Sequence, residues 1–295
     1  MSAESPSWDN LPLSRQEFID LVRAQGRARY RSLPWRNVDD PYAVLVSEVM
    51  LQQTQVKRVL SYWPRFMESF PTVDALAQAP TAAVLEAWQG LGYNRRALAL
   101  KHAAEACAQT GAGTLPADYD RLVALPGVGP ATAAGVLSFA FQKPAVYIET
   151  NVRTVFLHCL FPDQMGVSDK TLRPYVVDAC PTYTDGEGFG PRAWYYALLD
   201  FGAFLKTQVA NPSRRSAQYT RQSAFEGSNR QKRSFLVRLV LARPEGIELA
   251  QAARALSAFE QDHGRAPVQG SSVEALADQL AAEGFFHREG SLLIP

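Results

Sequence analysis

Leu125-Pro126-Gly127-Val128-Gly129 carries the reading of this chain. Two glycines two residues apart allow a tight turn whose backbone N–H groups face outward and can approach a phosphate closely. Leu122 and Leu125 before the turn, and Val136 and Leu137 after it, have the spacing of buried faces on two short helices, and Pro130 suits the first turn of the second. The segment predicts a helix-hairpin-helix. Taken alone, the same turn also fits an ordinary connection between helices, so its surroundings decide. One of these is a carboxylate, Glu149, twenty residues beyond Gly129 in YIETNVRTV.

With 295 residues, 47% of them hydrophobic, the chain can bury a sizeable core and is expected to hold one large and one small domain. No stretch approaches the roughly 20 apolar residues that span a bilayer. The start, MSAESPSWDNLPLS, has neither a basic run nor an apolar one, so a cytoplasmic location is expected, with no membrane partner. Cys107, Cys159 and Cys180 lie far apart and suggest buried thiols rather than disulfides or a metal site. The net charge of +1 argues neither for nor against nucleic acid, but between Lys206 and Arg238 eight basic residues face one acid, Glu226. Such a stripe could neutralise several phosphates, or be a solvated linker with a basic bias.

Apolar residues recur at helical spacing through most of the first 205 positions, which reads as all-α. Phe18, Ile19, Leu21 and Val22 mark a first helix that Gly26 is suited to end. Tyr42 to Leu60 reads as one helix. Thr72 or Asp74 could cap the next, ending at Pro80, and Thr81 a third that stops at Gly90. Arg95 to Cys107 follows, and Asp118 to Ala124 leads into the hairpin. Residues 207–229 are polar and read as a basic linker. Beyond them Phe235, Leu236, Leu239 and Val240, then Leu249 to Phe259, then Val273 to Ala282 mark three helices, and GFFHREGSLLIP suits a β-hairpin. Three helices closed by a hairpin predict a small α+β winged-helix-like domain over 230–295, following a tail at 1–15 and the all-α region at 16–206.

A second carboxylate, Glu48, lies in SEVMLQQTQVKRVLSYWPRF among Val44, Leu45, Val49, Met50 and Leu51, where a partly buried acid would have a raised pKa. Taken together, LPWRNVDDPYAVLVSEVMLQQTQV, GLGYNRRA, LPGVG and the acid of YIETNVR resemble the helix-hairpin-helix DNA glycosylases. Within that superfamily the likeness is to the adenine DNA glycosylases that remove adenine opposite 8-oxoguanine, with endonuclease III more distant. It covers roughly residues 16–210. The resemblance implies a two-lobed all-α catalytic domain over 16–206, with 16–39 and 142–206 in one lobe and a six-helix lobe, including the hairpin, over 40–141.

Hydrolysis of an N-glycosidic bond develops positive charge on the sugar while the base leaves, so one carboxyl must protonate the base and another stabilise the cation. The resemblance gives Glu48 the first role, and the activation of water with it. It gives Glu149 the second, although the family has aspartate there and the extra methylene moves the carboxylate by about one bond length. The target nucleotide must be rotated out of the duplex. By their match to relatives, Gln52 and Tyr93 insert or stack beside the emptied site, and Gln53, Thr54 and Leu91 lie against the opposite base. Trp35, Arg36 and Leu51 match the target-base pocket, together with Ala131 and Tyr196. Leu125, Gly127, Val128, Gly129 and Asn151 are expected to contact DNA, and a monovalent cation at the hairpin is compatible with the sequence.

Besides Glu149, four departures from the family matter. Where bifunctional relatives carry a lysine that forms a Schiff base, this chain has Ala131, which implies base release without strand cleavage. Where relatives hold a [4Fe–4S] cluster on four cysteines, it has Lys206, Ser213, Ser216 and Gln222, so no cluster is expected, packing or basic contacts taking its place. Tyr195-Tyr196 stands where adenine glycosylases have polar residues. The C-terminal region does not resemble the nudix-like domain of adenine glycosylases, and a winged helix would grip duplex flanks instead. The expected activity is a monofunctional DNA glycosylase acting as a monomer at the nucleoid on duplex DNA with a damaged or mismatched base. Adenine opposite 8-oxoguanine or guanine is the leading substrate. Hypoxanthine, or uracil or thymine in a G mismatch, and a lesion-binding protein without catalysis are the alternatives.

Overall fold

Ser14 begins the first helix as its side chain favours: its hydroxyl accepts from the Glu17 N–H, and Glu17 reaches back to the Ser14 N–H, a capping box for α1 (Arg15–Arg29). The structure, a computed structural model, describes residues 5–110, 113–221 and 224–295. Helix α1 runs through Gly26 instead of ending there. Gly26 serves packing, because a Cβ at this position would collide with the side chain of Ala197 on α11 (Pro191–Gln208).

Between these two helices the chain forms α2 (Pro41–Leu51), α3 (Val56–Ser69), α4 (Val73–Gln78), α5 (Thr81–Trp88), α6 (Arg95–Gln109), α7 (Tyr119–Val123), α8 (Pro130–Phe139), α9 (Thr150–Cys159) and α10 (Asp169–Ala179). Thr72 caps α4, Asp118 caps α7 and Pro130 is the first residue of α8, as their types predict. The C-terminal region forms α12 (Asn229–Leu241), β1 (Ile247–Glu248), α13 (Leu249–Asp262), α14 (Gly270–Ala282), β2 (His287–Glu289) and β3 (Leu292–Ile294). The predicted hairpin is β2–β3. It gains β1, which pairs antiparallel with β3 to give the order β1-β3-β2 and complete a winged-helix-like module.

The chain divides into two compact units, Met1–Glu48 with Leu115–Arg221, and Val49–Thr114 with Gln222–Pro295. These bounds differ from the lobes expected from sequence. Helices α7 and α8 of the hairpin pack on each other and α8 packs on α11, which draws them into the first unit. The core of that unit joins α1, α9 and α11, with Phe18 against Phe156 at 4.8 Å and Trp194 at 6.1 Å between ring centroids. Aromatic pairs of this kind contribute about 0.5–1.5 kcal/mol each beyond the area they bury. In the second unit α3, α5 and α6 pack together, with Phe66 edge-on to Trp88 at 5.7 Å.

The single helix expected from Tyr42 to Leu60 is two. The chain breaks at Gln52–Gln55, where Gln53 takes a left-handed backbone (φ 54°), so that the 40–141 stretch holds seven helices among the described residues rather than six. No glycine or proline marks the break. Its cause is Arg96, whose guanidinium donates to the carbonyls of Val49 (2.8 Å), Met50 (3.0 Å) and Gln52 (2.5 Å) at the end of α2 and to Leu91 (3.3 Å) and Gly92 (2.8 Å) in the turn before α6. It also donates to the Thr54 hydroxyl at 3.1 Å. One cation thereby satisfies the carbonyls that a helix end leaves without partners and ties two turns into one surface.

The linker expected at 207–229 is largely built into the first unit. Helix α11 continues to Gln208, a 3₁₀ turn follows at Pro212–Arg215, and Ser213 and Thr154 hydroxyls meet at 2.8 Å. Arg215 donates to the carbonyls of Leu157 (2.8 Å) and Pro162, and the Val167 N–H to the Arg215 carbonyl at 3.1 Å. Side chains short enough to bond α9 hold this segment down where a polar composition alone suggested a tether. Replacing Arg96 by Met should lower stability by about 3 kcal/mol, since several half-buried carbonyls lose a charged donor at once. Chemical denaturation would read the loss, and an unchanged midpoint would remove Arg96 from this role.

Candidate active site

Glu48 lies one turn before the end of α2 and faces α8 and the strand-like segment before α9. Room for it is made by Gly135, where a Cβ would fall on the Glu48 carboxylate and press the Tyr147 ring at 3.1 Å. The Tyr147 hydroxyl hydrogen-bonds the carboxylate. Burial pushes the Glu48 carboxyl up to about 8, with the charge of Glu149 adding to the rise and the Tyr147 hydrogen bond opposing it. Near neutral pH Glu48 is therefore protonated, yet it is half-buried rather than sealed, so its proton can be delivered.

Glu149 is the N-cap of α9. Its Oε1 accepts from the N–H of Asn151 (2.6 Å) and of Val152 (3.3 Å), so the side chain curls back over the helix end. Burial raises its pKa. The two backbone N–H groups, Lys206 and Arg153 all act the other way and favour the carboxylate. The Lys206 ammonium is fixed by the Asn151 side chain at 2.7 Å. Burial raises both acids, but they differ in what opposes it: Glu48 has only the Tyr147 hydrogen bond, and Glu149 has a helix N-terminus and two cations.

Behind Glu48 lies a stacked wall. Tyr196 lies parallel to Phe139 with centroids 4.6 Å apart, and the Arg36 guanidinium covers its ring at 4.3 Å. Arg36 is held in this orientation by a two-pronged ion pair with the buried Asp200, at 2.7 and 2.8 Å. Trp35 is buried, whereas Ala131, in the first turn of α8, is exposed. The first unit therefore gathers Glu48, Glu149, Asn151, Trp35, Arg36, Tyr196, Ala131 and the hairpin. Leu51, Gln52, Gln53, Thr54, Leu91 and Tyr93 belong to the second unit, where Arg96 joins their two turns.

Within the hairpin only Gly127 needs a left-handed backbone (φ 70°). Gly129 is extended (φ −80°) and exposed, and a Cβ there would meet nothing within 4 Å. No internal contact explains Gly129, which leaves its backbone open to an approaching group. Two expected DNA contacts need correction as side-chain contacts: Val128 and Leu91 are buried, because each anchors its turn to the interior, and they can offer only backbone to a partner. Sequence reading missed Tyr147, Gly135, Asp200 and Arg96. Their residue types carry no signal at these positions, although Tyr147, two residues before Glu149, and Arg96, within GLGYNRRA, lie in segments already singled out.

The positions that match cluster cysteines do not fit iron–sulfur ligation. Lys206 is bonded to Asn151, Ser213 to Thr154, and the Ser216 hydroxyl to Gln218 at 3.2 Å, while Gln222 lies outside the described residues. Among the described residues no three His, Cys, Asp or Glu side chains come together to hold a metal. The eight basic residues of the 206–238 stretch are divided between the two units. Lys206 and Arg215 are engaged with internal partners in the first unit, while Arg230, Lys232, Arg233 and Arg238 lie on α12 in the second. No described helix is long and apolar enough to cross a membrane.

Residues 46–173 match the HhH-GPD superfamily base excision DNA repair protein family. The adenine DNA glycosylase of Mycolicibacterium smegmatis is 44% identical over 190 residues, covering 64% of this chain and 63% of that protein. That of Buchnera aphidicola subsp. Baizongia pistaciae is 38% identical over 175 residues, covering 59% and 48%. The chain spans about half the length of the curated relatives it matches. Among solved structures, a thermostable thymine-DNA glycosylase shares the fold with a TM-score of 0.55 at 24% identity, over 64% of this chain and 86% of that one. An endonuclease III in a non-covalent DNA complex does so at 0.50 and 20%, over 65% and 86%.

Burial of Glu48 has a cost that depends on pH. Its carboxyl titrates at an ordinary 4.5 when unfolded and at about 8 in the fold, so between these values the folded chain holds the extra proton. Stability from this group is full below pH 4.5, declines as pH rises toward 8 and is level beyond. Glu48→Gln should therefore melt at a higher temperature than the parent at pH 8.5, with the difference vanishing near pH 4.5. Parallel thermal melts across that range measure it, and a constant offset would contradict the raised pKa.

Proposed function

We propose that this chain, which belongs to the HhH-GPD superfamily of base excision DNA repair proteins through residues 46–173, is a monofunctional DNA glycosylase that hydrolyses the N-glycosidic bond of a flipped-out base, adenine opposite 8-oxoguanine or guanine. The observation that carries this reading is the pair Glu48 and Glu149. Burial keeps Glu48 protonated to a pH of about 8; it raises Glu149 as well, but there the α9 N-terminus and Lys206 work against the rise and favour the carboxylate. Glu48 transfers its proton to a ring nitrogen of the base. The glycosidic bond breaks with its electron pair leaving on the base, and the oxocarbenium ion forms beside the Glu149 carboxylate. Water then adds to the sugar carbon and returns a proton to Glu48, leaving an abasic site.

The exposed backbone at Gly127 and Gly129 supports a phosphate contact at the hairpin, with Leu125 in the same turn, and Asn151 is assigned to DNA as well. Gln52, Gln53, Thr54 and Tyr93 are assigned to the duplex around the emptied site. Ala131 has no amine with which to form a Schiff base, so strand cleavage is not part of the activity. Neither is an iron–sulfur cluster, since Lys206, Ser213 and Ser216 are bonded to other partners. A second reading, excision of hypoxanthine or of a pyrimidine opposite guanine, is favoured by Tyr196: its stacking between Phe139 and Arg36 gives an aromatic wall where adenine glycosylases carry polar side chains.

A panel of duplexes with different lesions and mismatches, scored for alkali-labile sites under single turnover, tests the reading. Release of adenine is expected, with a rate that falls above pH of about 8 as Glu48 loses its proton and falls at acid pH as Glu149 gains one. Glu48→Gln should slow release by at least about a hundredfold while leaving duplex binding intact. Binding with no release from any substrate would leave a lesion-binding protein, and a borohydride-trapped adduct would overturn the monofunctional assignment.

A further inference from the structure

The C-terminal module carries its positive charge on an unexpected helix. In a helix-turn-helix the second helix of the pair is the one that enters the major groove, here α14 of the α13–α14 pair. Helix α14 has no Lys or Arg, and its Glu274 and Asp278 are engaged by Arg288 of β2. A phosphate backbone would be repelled by that helix. The basic residues lie on α12 instead, and within the second unit α12 lines a groove of about 1020 Å³ whose opposite wall is made of the Gln52–Gln55 and Gly90–Arg96 turns.

Six guanidinium groups line this groove, those of Arg58, Arg95, Arg96, Arg230, Arg233 and Arg238, and no Asp or Glu does so among the described residues. They are not equivalent. Arg96 is engaged with backbone carbonyls, and Arg95 and Arg233 share Glu283. Arg58 and Arg238 are exposed, and Arg230 lies over the Tyr93 ring at 5.3 Å, bonded to its hydroxyl. Phe225, 49% exposed, stands at the same groove with Arg230 5.9 Å from its ring. An acid-free channel of arginines with an exposed aromatic ring at its side matches the chemistry of a nucleic-acid strand, phosphates on the guanidinium groups and a base on the ring.

We infer that the groove between α12 and the Gln53 and Tyr93 turns binds the DNA strand opposite the excised base, with Arg58, Arg230 and Arg238 on its phosphates and Phe225 stacked on a base. The module then acts through its first helix, closing over the turns that read the opposite base, and α14 contributes apolar lining from Leu276 and Leu280. This inference rests on the glycosylase reading above, and its test separates the two.

The experiment uses the full chain and an adenine–8-oxoguanine duplex, with binding measured by fluorescence anisotropy over a range of salt. Reversing charge in Arg230→Glu with Arg238→Glu should weaken binding about tenfold or more and reduce the slope of log affinity against log salt by about two, one for each phosphate no longer neutralised. Arg254→Glu, at an exposed position of α13 outside the groove lining, should leave both unchanged. A photoreactive group attached at Phe225→Cys should crosslink to the strand opposite the excised base. If charge reversal unfolds the protein, the pair Arg230→Gln with Arg238→Gln is read by the same slope. An unchanged slope in the α12 variants, an equal loss in Arg254→Glu, or crosslinks confined to the strand that loses its base would overturn the inference. A parent protein that neither binds the duplex nor releases a base would instead overturn the glycosylase reading.

Discussion

The site depends on the space left by one absent side chain. Gly135, mid-way along α8, lets the Glu48 carboxyl and the Tyr147 ring meet at the helix surface, and any Cβ there would displace one of them. Burial of the carboxyl at that contact raises its pKa to about 8. The same helix begins at the hairpin through Pro130, which ties the chemistry of Glu48 mechanically to the turn assigned to phosphate.

Helix ends recur as functional positions for a shared reason: their backbone groups lack internal partners and so accept charged ones. At the start of α9, N–H groups receive Glu149. At the end of α2, carbonyls receive Arg96, and the two turns it joins carry Gln52, Gln53, Thr54 and Tyr93. After α11, short polar side chains and Arg215 bond the following segment to α9 directly. In the same segment Lys206 favours the Glu149 carboxylate through its charge.

Much of the fold was legible because its signals are local. Capping residues such as Thr72 and Asp118, the proline at the start of α8, and the spacing of Leu236 and Val240 all act within a few residues of themselves. Where the reading failed, the cause was distant in sequence. Gly26 looked like a helix stop and is a close-packing site against Ala197, Tyr42 to Leu60 looked continuous and is cut by Arg96, and the polar stretch after Gln208 is held by Thr154 and Leu157.

Sequence alone determined the helical class, the hairpin, the winged module and the two acids with their order along the chain, since periodicity, turn chemistry and a family resemblance are carried by neighbouring residues. Only the tertiary structure decided what state those acids are in and what surrounds them. A pKa is set by solvent exclusion and by charges that arrive from other elements, here Tyr147, Glu149 and Lys206, and a stacked wall needs Arg36, Tyr196, Phe139 and Asp200 to converge from separate segments. Such convergence is a property of packing, which no local pattern encodes.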